Sequence, residues 1–251
     1  MKNMNSRSLC LVLLLSIGCI ALANEAAMYA EGGTIRPMKE HTSITMEKEI
    51  VNADIHPNVA YVKCVFTLYN TSSKPKTVLM GFPEEADDSS RIPEFIKFKT
   101  WVDGKLVKTK PTKWEEMADY TRYRVTKVTF AGHQRRVVRV EYTGRMTHWP
   151  EGDRTFKYIS WTGASWKGRI GLGEFNFNIS KMKKNYTLEK KTNKGYGTFP
   201  VPKGYLLHKD KVSWRIKNFK PSPDPTVDNN FDNNFTIFSV SFKAKNPTKR
   251  E

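Results

Sequence analysis

The sequence predicts a mainly β fold, with two tandem antiparallel β-sandwich-like domains and one short helix. Apolar residues alternate with polar ones along several segments, which is typical of half-buried strands. The alternating positions are Ile44, Met46, Lys48 and Ile50, then Val62, Cys64, Phe66 and Leu68, and then Val138, Val140 and Tyr142. Hydrophobic residues make up 39% of the 251-residue chain, which is enough for a packed core and excludes a wholly disordered chain.

Turn and capping signals organise the first predicted domain, residues 24–150. Asp103 and Gly104 lie between two apolar runs and favour a tight hairpin, because both residue types tolerate positive φ. The short helix is expected to begin at Thr112, whose spacing from Glu115 matches a capping box. Its apolar stripe consists of Trp114, Met117 and Ala118. A turn at residues 132–134 then leads into an Arg-rich strand.

The second predicted domain, residues 151–245, follows a Pro- and Gly-containing junction at residues 148–153. Its strands are expected at residues 156–160, 174–179, 212–216 and 235–242. Residues 246–251 are expected to form a loose tail.

The first 23 residues have the layout of a secretory signal peptide. A basic start precedes an apolar run at residues 9–21 and a small-residue cleavage site before Asn24. Lipoprotein processing with a lipid anchor at Cys19 is the alternative. Both routes predict an exported protein, periplasmic or extracellular, and no later stretch is long and apolar enough for a transmembrane helix. Cys64 is then the only remaining cysteine, which excludes an internal disulfide and indicates a buried strand residue.

Basic residues outnumber acidic ones, 42 Lys plus Arg against 25 Asp plus Glu, and the formal net charge is +17. Removing Lys2 and Arg7 with the signal leaves +15. Such a charge attracts polyanions, and export favours cell-wall polymers, lipopolysaccharide or acidic glycans over intracellular nucleic acid. One predicted hairpin concentrates Arg122, Arg124, Lys127, Arg135, Arg136 and Arg139, and a second Lys-rich connection spans residues 181–194. The alternative is an ordinary solvated basic face.

A Gly- and Trp-rich tract, TGASWKGRIG at residues 162–171, is the second candidate binding region. Trp161 and Trp166 could stack on a sugar face beside Lys167 and Arg169. The alternative is that the two indoles are buried in a tight turn. Exposed Trp side chains would favour binding, and buried ones would favour a structural or partner-contact role.

The same tract resembles a motif of exported bacterial proteins grouped as the domain of unknown function 4424 family. Residues 66–72 and 80–83, and Trp214 with residues 218–221, agree with this resemblance. The family implies an exported, two-domain β protein and supplies no established activity or catalytic residues. A cysteine associated with the second domain of the family is absent here.

Acidic and amide clusters give weaker signals. Asp228, Asn230 and Asp232 match the first three ligand positions of a calcium loop, but Asn233 and Ser239 stand where an EF-hand needs Gly and Glu. The acidic run at residues 84–88 indicates a solvated turn. No zinc, phosphate-loop or nucleophile-elbow motif is present, so we expect no cofactor and no metal.

These observations predict a secreted, non-enzymatic cell-envelope protein that binds anionic or glycan surface components. Two alternatives stay open. One is a structural or assembly protein that contacts envelope proteins through a β-domain face. The other is an envelope hydrolase whose catalytic groups converge from separate segments.

Overall fold

A computed structural model describes residues 30–33, 35–38, 43–86, 95–112, 121–190, 200–221 and 237–247, and these form two sheets. Sheet A contains β1 (Ala30–Gly33), β2 (Arg36–Pro37), β5 (Lys76–Ala86), β8 (Lys110–Pro111), β9 (Thr121–Phe130), β11 (Thr147–His148), β12 (Arg154–Ile159), β14 (Tyr186–Leu188) and β17 (Ile237–Ala244). Sheet B contains β3 (Ile44–Ile55), β4 (Val59–Asn70), β6 (Phe95–Val102), β7 (Lys105–Val107), β10 (Arg135–Arg145), β13 (Ile170–Asn178), β15 (Leu206–His208) and β16 (Lys211–Phe219). The prediction of a mainly β, sandwich-like fold is confirmed.

Both sheets run through the two halves of the chain. Sheet A has the order β14-β17-β12-β1-β5-β9-β8, with β11 beside β12 and β2 beside β5. Sheet B has the order β15-β16-β13-β3-β4-β10-β6-β7. Most pairs are antiparallel, but β1 pairs with β12 and β3 with β13 in parallel, and these pairs join the halves. The predicted boundary at residue 150 therefore lies between β11 and β12, and both sheets continue across it.

Aromatic rings from the two sheets meet in the core. In the second half, Phe175 of β13 stacks on Phe238 of β17, with ring centroids 3.6 Å apart, and Phe156 meets Phe177 edge to face at 5.0 Å. In the first half, Phe82 of β5 contacts Tyr142 of β10 at 5.3 Å. Large rings bury much apolar surface and dominate the energetics of such a core.

The predicted local elements are largely found. Asp103 and Gly104 both have positive φ, at 47° and 79°, and connect β6 to β7 as the predicted tight hairpin. Cys64 is buried on β4 and is a free thiol, as expected. The helix predicted from Thr112 onward falls on residues 113–120, outside the described residues. Among the described residues the helical segment is a 3-10 turn at Trp161–Ser165.

One strand face differs from the prediction because of a β-bulge. The pairing of β3 with β4 shifts register between Met46 and Lys48. Since one extra residue reverses the alternation of side chains, Lys48 and Ile50 point away from the core, and Glu49 points into it with no exposed surface. There Glu49 accepts a 2.7 Å hydrogen bond from the hydroxyl of Tyr158. Burial, with nearby charged groups, raises the pKa of Tyr158 and of the Cys64 thiol well above their usual values.

The TGASWKGRIG tract packs against this bulge. Trp166 is 3% exposed and donates its indole N–H to the Ile35 carbonyl at 2.6 Å. The Lys167 amide donates to the Ile44 carbonyl at 3.1 Å. A Cβ at Gly171 would lie 2.6 Å from the Glu47 carbonyl oxygen, so the close approach of β13 to the bulge requires glycine. The tract therefore joins the second half of the chain to β3.

No helix within the described residues is long and apolar enough to cross a membrane.

Candidate binding surface

The outer faces of the two sheets differ in how far they are covered. Over β12 and β17, outward residues of sheet A such as Ile159 and Ser239 are each 1% exposed. Ser239 exchanges backbone hydrogen bonds with Val201, and the Trp149 indole donates to Thr155 at 3.0 Å. Outward residues of sheet B, in contrast, include many half-buried and exposed side chains. The outer face of sheet B is therefore more accessible than the part of sheet A formed by β12 and β17.

An open groove of about 310 Å³ crosses three adjacent strands on this outer face. We call it the lysine groove and define it by outward residues of β4, β6 and β10. They are Tyr61, Lys63, Lys97, Lys99, Glu141 and Thr143. Cross-strand pairing places Thr143 between Tyr61 and Lys97, and Glu141 between Lys63 and Lys99. Side chains paired in this way lie about 5 Å apart at Cβ, so Lys63 and Lys99 flank Glu141 in one row, and Lys97 lies in the next row beside Thr143.

Charge in the lysine groove is unbalanced. Within the described parts of the chain, no carboxylate lies within ion-pair distance of Lys63, Lys97 or Lys99. Glu141 is instead 3.5 Å from Nε of Arg139, in the next cross-strand row. The groove therefore has a local positive potential suited to an anionic group.

Aromatic side chains border the groove in fixed positions. The Tyr61 ring meets His56 edge to face at 5.1 Å, and His56 Nε2 lies 3.1 Å from Asp54. On the other side, the Arg139 guanidinium lies 3.9 Å from the centroid of Trp101. Contacts of this kind hold the rings against the sheet, so binding a ligand to them costs little further side-chain entropy.

Arg122 and Arg124, two of the predicted basic residues, lie away from this surface. They are on β9 of sheet A, whereas the Arg-rich strand β10 belongs to sheet B, so the predicted single hairpin is wrong. Both arginines pair with Glu84 of β5, which has no exposed surface. Arg124 donates to Glu84 at 2.7 and 2.9 Å, and Arg122 at 3.1 Å. The interpretation of Glu84 as part of a solvated turn is therefore also wrong.

Arg135 and Arg139 lie on the outer face of sheet B, whereas Arg136 pairs with the inward Leu68 and donates to the Thr129 carbonyl of β9 at 2.5 Å. Each of the three arginines has an acidic partner. Arg135 pairs with Glu47 in a bidentate contact and lowers the pKa of that carboxyl below its usual value. Arg136 pairs with Asp103 at 2.8 Å. Because these charges are already compensated, they add less positive potential than the sequence indicates.

The predicted Trp platform is not available as an open surface. Trp166 is buried, so it cannot present a face to a sugar, and the buried-indole alternative holds for it. Trp161 is half-buried in the 3-10 turn. Lys167 and Arg169 are exposed, and they contact Thr71 at 3.2 Å and the Asn218 carbonyl at 2.5 Å. The calcium candidates Asp228, Asn230 and Asp232 fall outside the described residues.

The residues of the lysine groove were not singled out from the sequence. Tyr61 with Lys63, and Lys97 with Lys99, occupy alternate positions that face outward when their neighbours face the core. That spacing predicts, from the sequence alone, that the two members of each pair lie on the same face of their strand. Their convergence depends on β10 lying between β4 and β6, which strand periodicity does not encode.

Groups of three or more metal-binding side chains are absent among the described residues.

Comparisons with known proteins show the fold. No protein-family model and no curated protein matches the sequence. A Legionella pneumophila protein provisionally described as nutrient-binding is similar in structure, with a TM-score of 0.67 and 19% identity over 86% of this chain and 72% of that one. An M1 zinc metallopeptidase from Deinococcus radiodurans matches at a TM-score of 0.33 and 7% identity over 80% of this chain, which spans 42% of the peptidase. Native yeast LTA4 hydrolase matches at 0.38 and 8%, over 83% of this chain and 32% of the hydrolase.

Proposed function

We propose that this is an exported, non-enzymatic cell-envelope protein that binds anionic or glycan surface components through the lysine groove. The observation that carries the proposal is the convergence of Lys63, Lys97 and Lys99 around an open groove of about 310 Å³. The signal-peptide pattern at residues 1–23 supports export, and the family resemblance agrees with it.

The chemistry of the groove favours binding over catalysis. Its acidic member, Glu141, is the one carboxylate among the six residues that define the groove, and glycoside hydrolysis needs a second carboxylate across the cleft. The groove offers ammonium donors and a phenol ring on a rigid sheet. An anionic polymer fits such a site because several weak ionic contacts add up along its length.

The test is retention of the exported protein on isolated cell-envelope fractions at low and high salt. We expect retention at low salt that falls steeply as salt rises, because exposed ionic contacts are screened beyond about 10 Å at 0.1 M salt. The triple change Lys63→Gln, Lys97→Gln and Lys99→Gln should abolish it.

A matched control removes the same charge elsewhere, with Lys181→Gln, Lys184→Gln and Lys190→Gln. These exposed lysines lie in the Lys-rich connection after β13, and we expect their replacement to leave most of the retention intact. Equal loss in both triple variants would show that net charge, not the groove, is responsible. No retention at any salt concentration would overturn envelope binding and direct attention to an assembly role.

A further inference from the structure

The lysine groove continues into a row of polar side chains that crosses six strands. Pairing runs from Lys99 to Glu141 and Lys63, and the next strands add Asn52, Asn176 and Ser213. Directly paired residues project to the same side of a sheet, so all six face outward. Five strand spacings of about 4.8 Å give the row a length of about 24 Å, which a single monosaccharide cannot cover.

The far part of the row differs in chemistry from the groove. Asn52 is exposed, Asn176 and Ser213 are half-buried, and within the described residues none of their side chains has a hydrogen-bond partner. The amides of the neighbouring row are engaged instead, since Asn178 donates to Asp54 at 3.0 Å. The two available amides supply both donors and acceptors, whereas the lysines supply donors of positive charge only.

We infer that the ligand is a linear acidic polysaccharide that lies across the strands, from β6 toward β16. Carboxylates of the polymer would pair with Lys63, Lys97 and Lys99. Hydroxyls of the following sugar units would exchange hydrogen bonds with Asn52 and Asn176, and the ring of Tyr61 would pack against a sugar face. This inference rests on the proposed function and adds the ligand class and its direction on the sheet.

The probes are oligogalacturonates of two lengths, a disaccharide and a hexasaccharide, with the methyl-esterified hexasaccharide as an uncharged match and polyphosphate as a charged match. Binding to the exported protein is measured by calorimetry. We expect the acidic hexasaccharide to bind about tenfold or more tighter than the disaccharide, because additional contacts on one chain act at high effective concentration. The methyl ester should lose most of that affinity.

The decisive variant is Asn52→Ala with Asn176→Ala. Loss of these hydrogen bonds should weaken hexasaccharide binding about tenfold and leave disaccharide binding unchanged. The matched control, Asn185→Ala with Thr187→Ala, removes exposed polar side chains at the edge of sheet A and should change neither.

The outcomes separate the two proposals. Polyphosphate binding as tightly as the acidic hexasaccharide, or equal affinity for both oligosaccharide lengths, would overturn the polysaccharide inference and leave groove binding of anions intact. Wild-type affinity for the acidic hexasaccharide in the Asn52→Ala, Asn176→Ala variant would also overturn the polysaccharide inference alone. Failure of every anionic probe to bind would overturn both proposals.

Discussion

Ion pairs between individual residues decide which charges of this basic protein are available to a ligand. Glu84 is fully buried and holds two arginines, whereas Lys63, Lys97 and Lys99 have no acidic partner within the described residues. A guanidinium fixed on a buried carboxylate is part of the fold, while an exposed, uncompensated ammonium is free to bind. Counting charges along the chain does not separate these roles.

Replacement of Glu84 by Gln should destabilise the protein strongly. Removal of the charge leaves Arg124 without its bidentate carboxylate partner and takes one carboxylate from Arg122, and breaking such a buried pair costs about 3 kcal/mol. Glu47→Gln makes the same chemical change in an exposed pair with Arg135 and should cost no more than about 1 kcal/mol.

Urea unfolding of both variants measures the difference in the free energy of unfolding, and the midpoints can be compared directly if the m-values are equal. Equal midpoints for Glu84→Gln and Glu47→Gln would show that the buried pair contributes no more than a surface one.

At the scale of elements, the bulge in β3 and the TGASWKGRIG tract pack against each other, so each requires the conformation of the other. The bulge between Met46 and Lys48 includes Glu47, and a Cβ on Gly171 would lie 2.6 Å from the Glu47 carbonyl oxygen, closer than real Cβ contacts. Gly171→Ala should therefore destabilise the protein by about 1–3 kcal/mol, because backbone on both sides must move.

The control for this variant is Gly104→Asn in the β6–β7 turn. Gly104 has positive φ, but nothing lies within 4 Å of its Cβ position, and Asn tolerates that conformation. Its cost should stay near 0.5 kcal/mol or below, about the scale of ordinary surface changes. Thermal unfolding compares the two, and a fully stable Gly171→Ala variant would contradict the proposed dependence.

Individual strands and turns can be predicted from the sequence, but the sheet to which a strand belongs cannot. Alternation of apolar residues predicts the strands of both halves, and Asp103 with Gly104 predicts the hairpin, because both signals are local. Sheet membership is not local: β9 and β10 are separated by four residues and belong to opposite sheets. The inward Glu49 follows from a bulge, and the buried Glu84 from two arginines distant in sequence. The lysine groove needs the order of three strands, and so it was not predicted.

At the scale of the whole molecule, two strands tie the halves together. β1 lies between β5 and β12, and β3 lies between β4 and β13. Each therefore pairs with one strand from either side of residue 150. The buried indole of Trp166 adds a further link through the Ile35 carbonyl. Removal of either half would leave a long unpaired edge and an open core.

We therefore expect the two halves to unfold in one cooperative transition. Hydrogen exchange in mild denaturant should give the same opening free energy for slow amides of β4 and of β16, since neither half keeps its core without the other. Residues 24–150 produced alone should lack a cooperative transition. Two separate transitions, or cooperative unfolding of residues 24–150 alone, would show instead that the halves are independent domains that merely share a sheet edge.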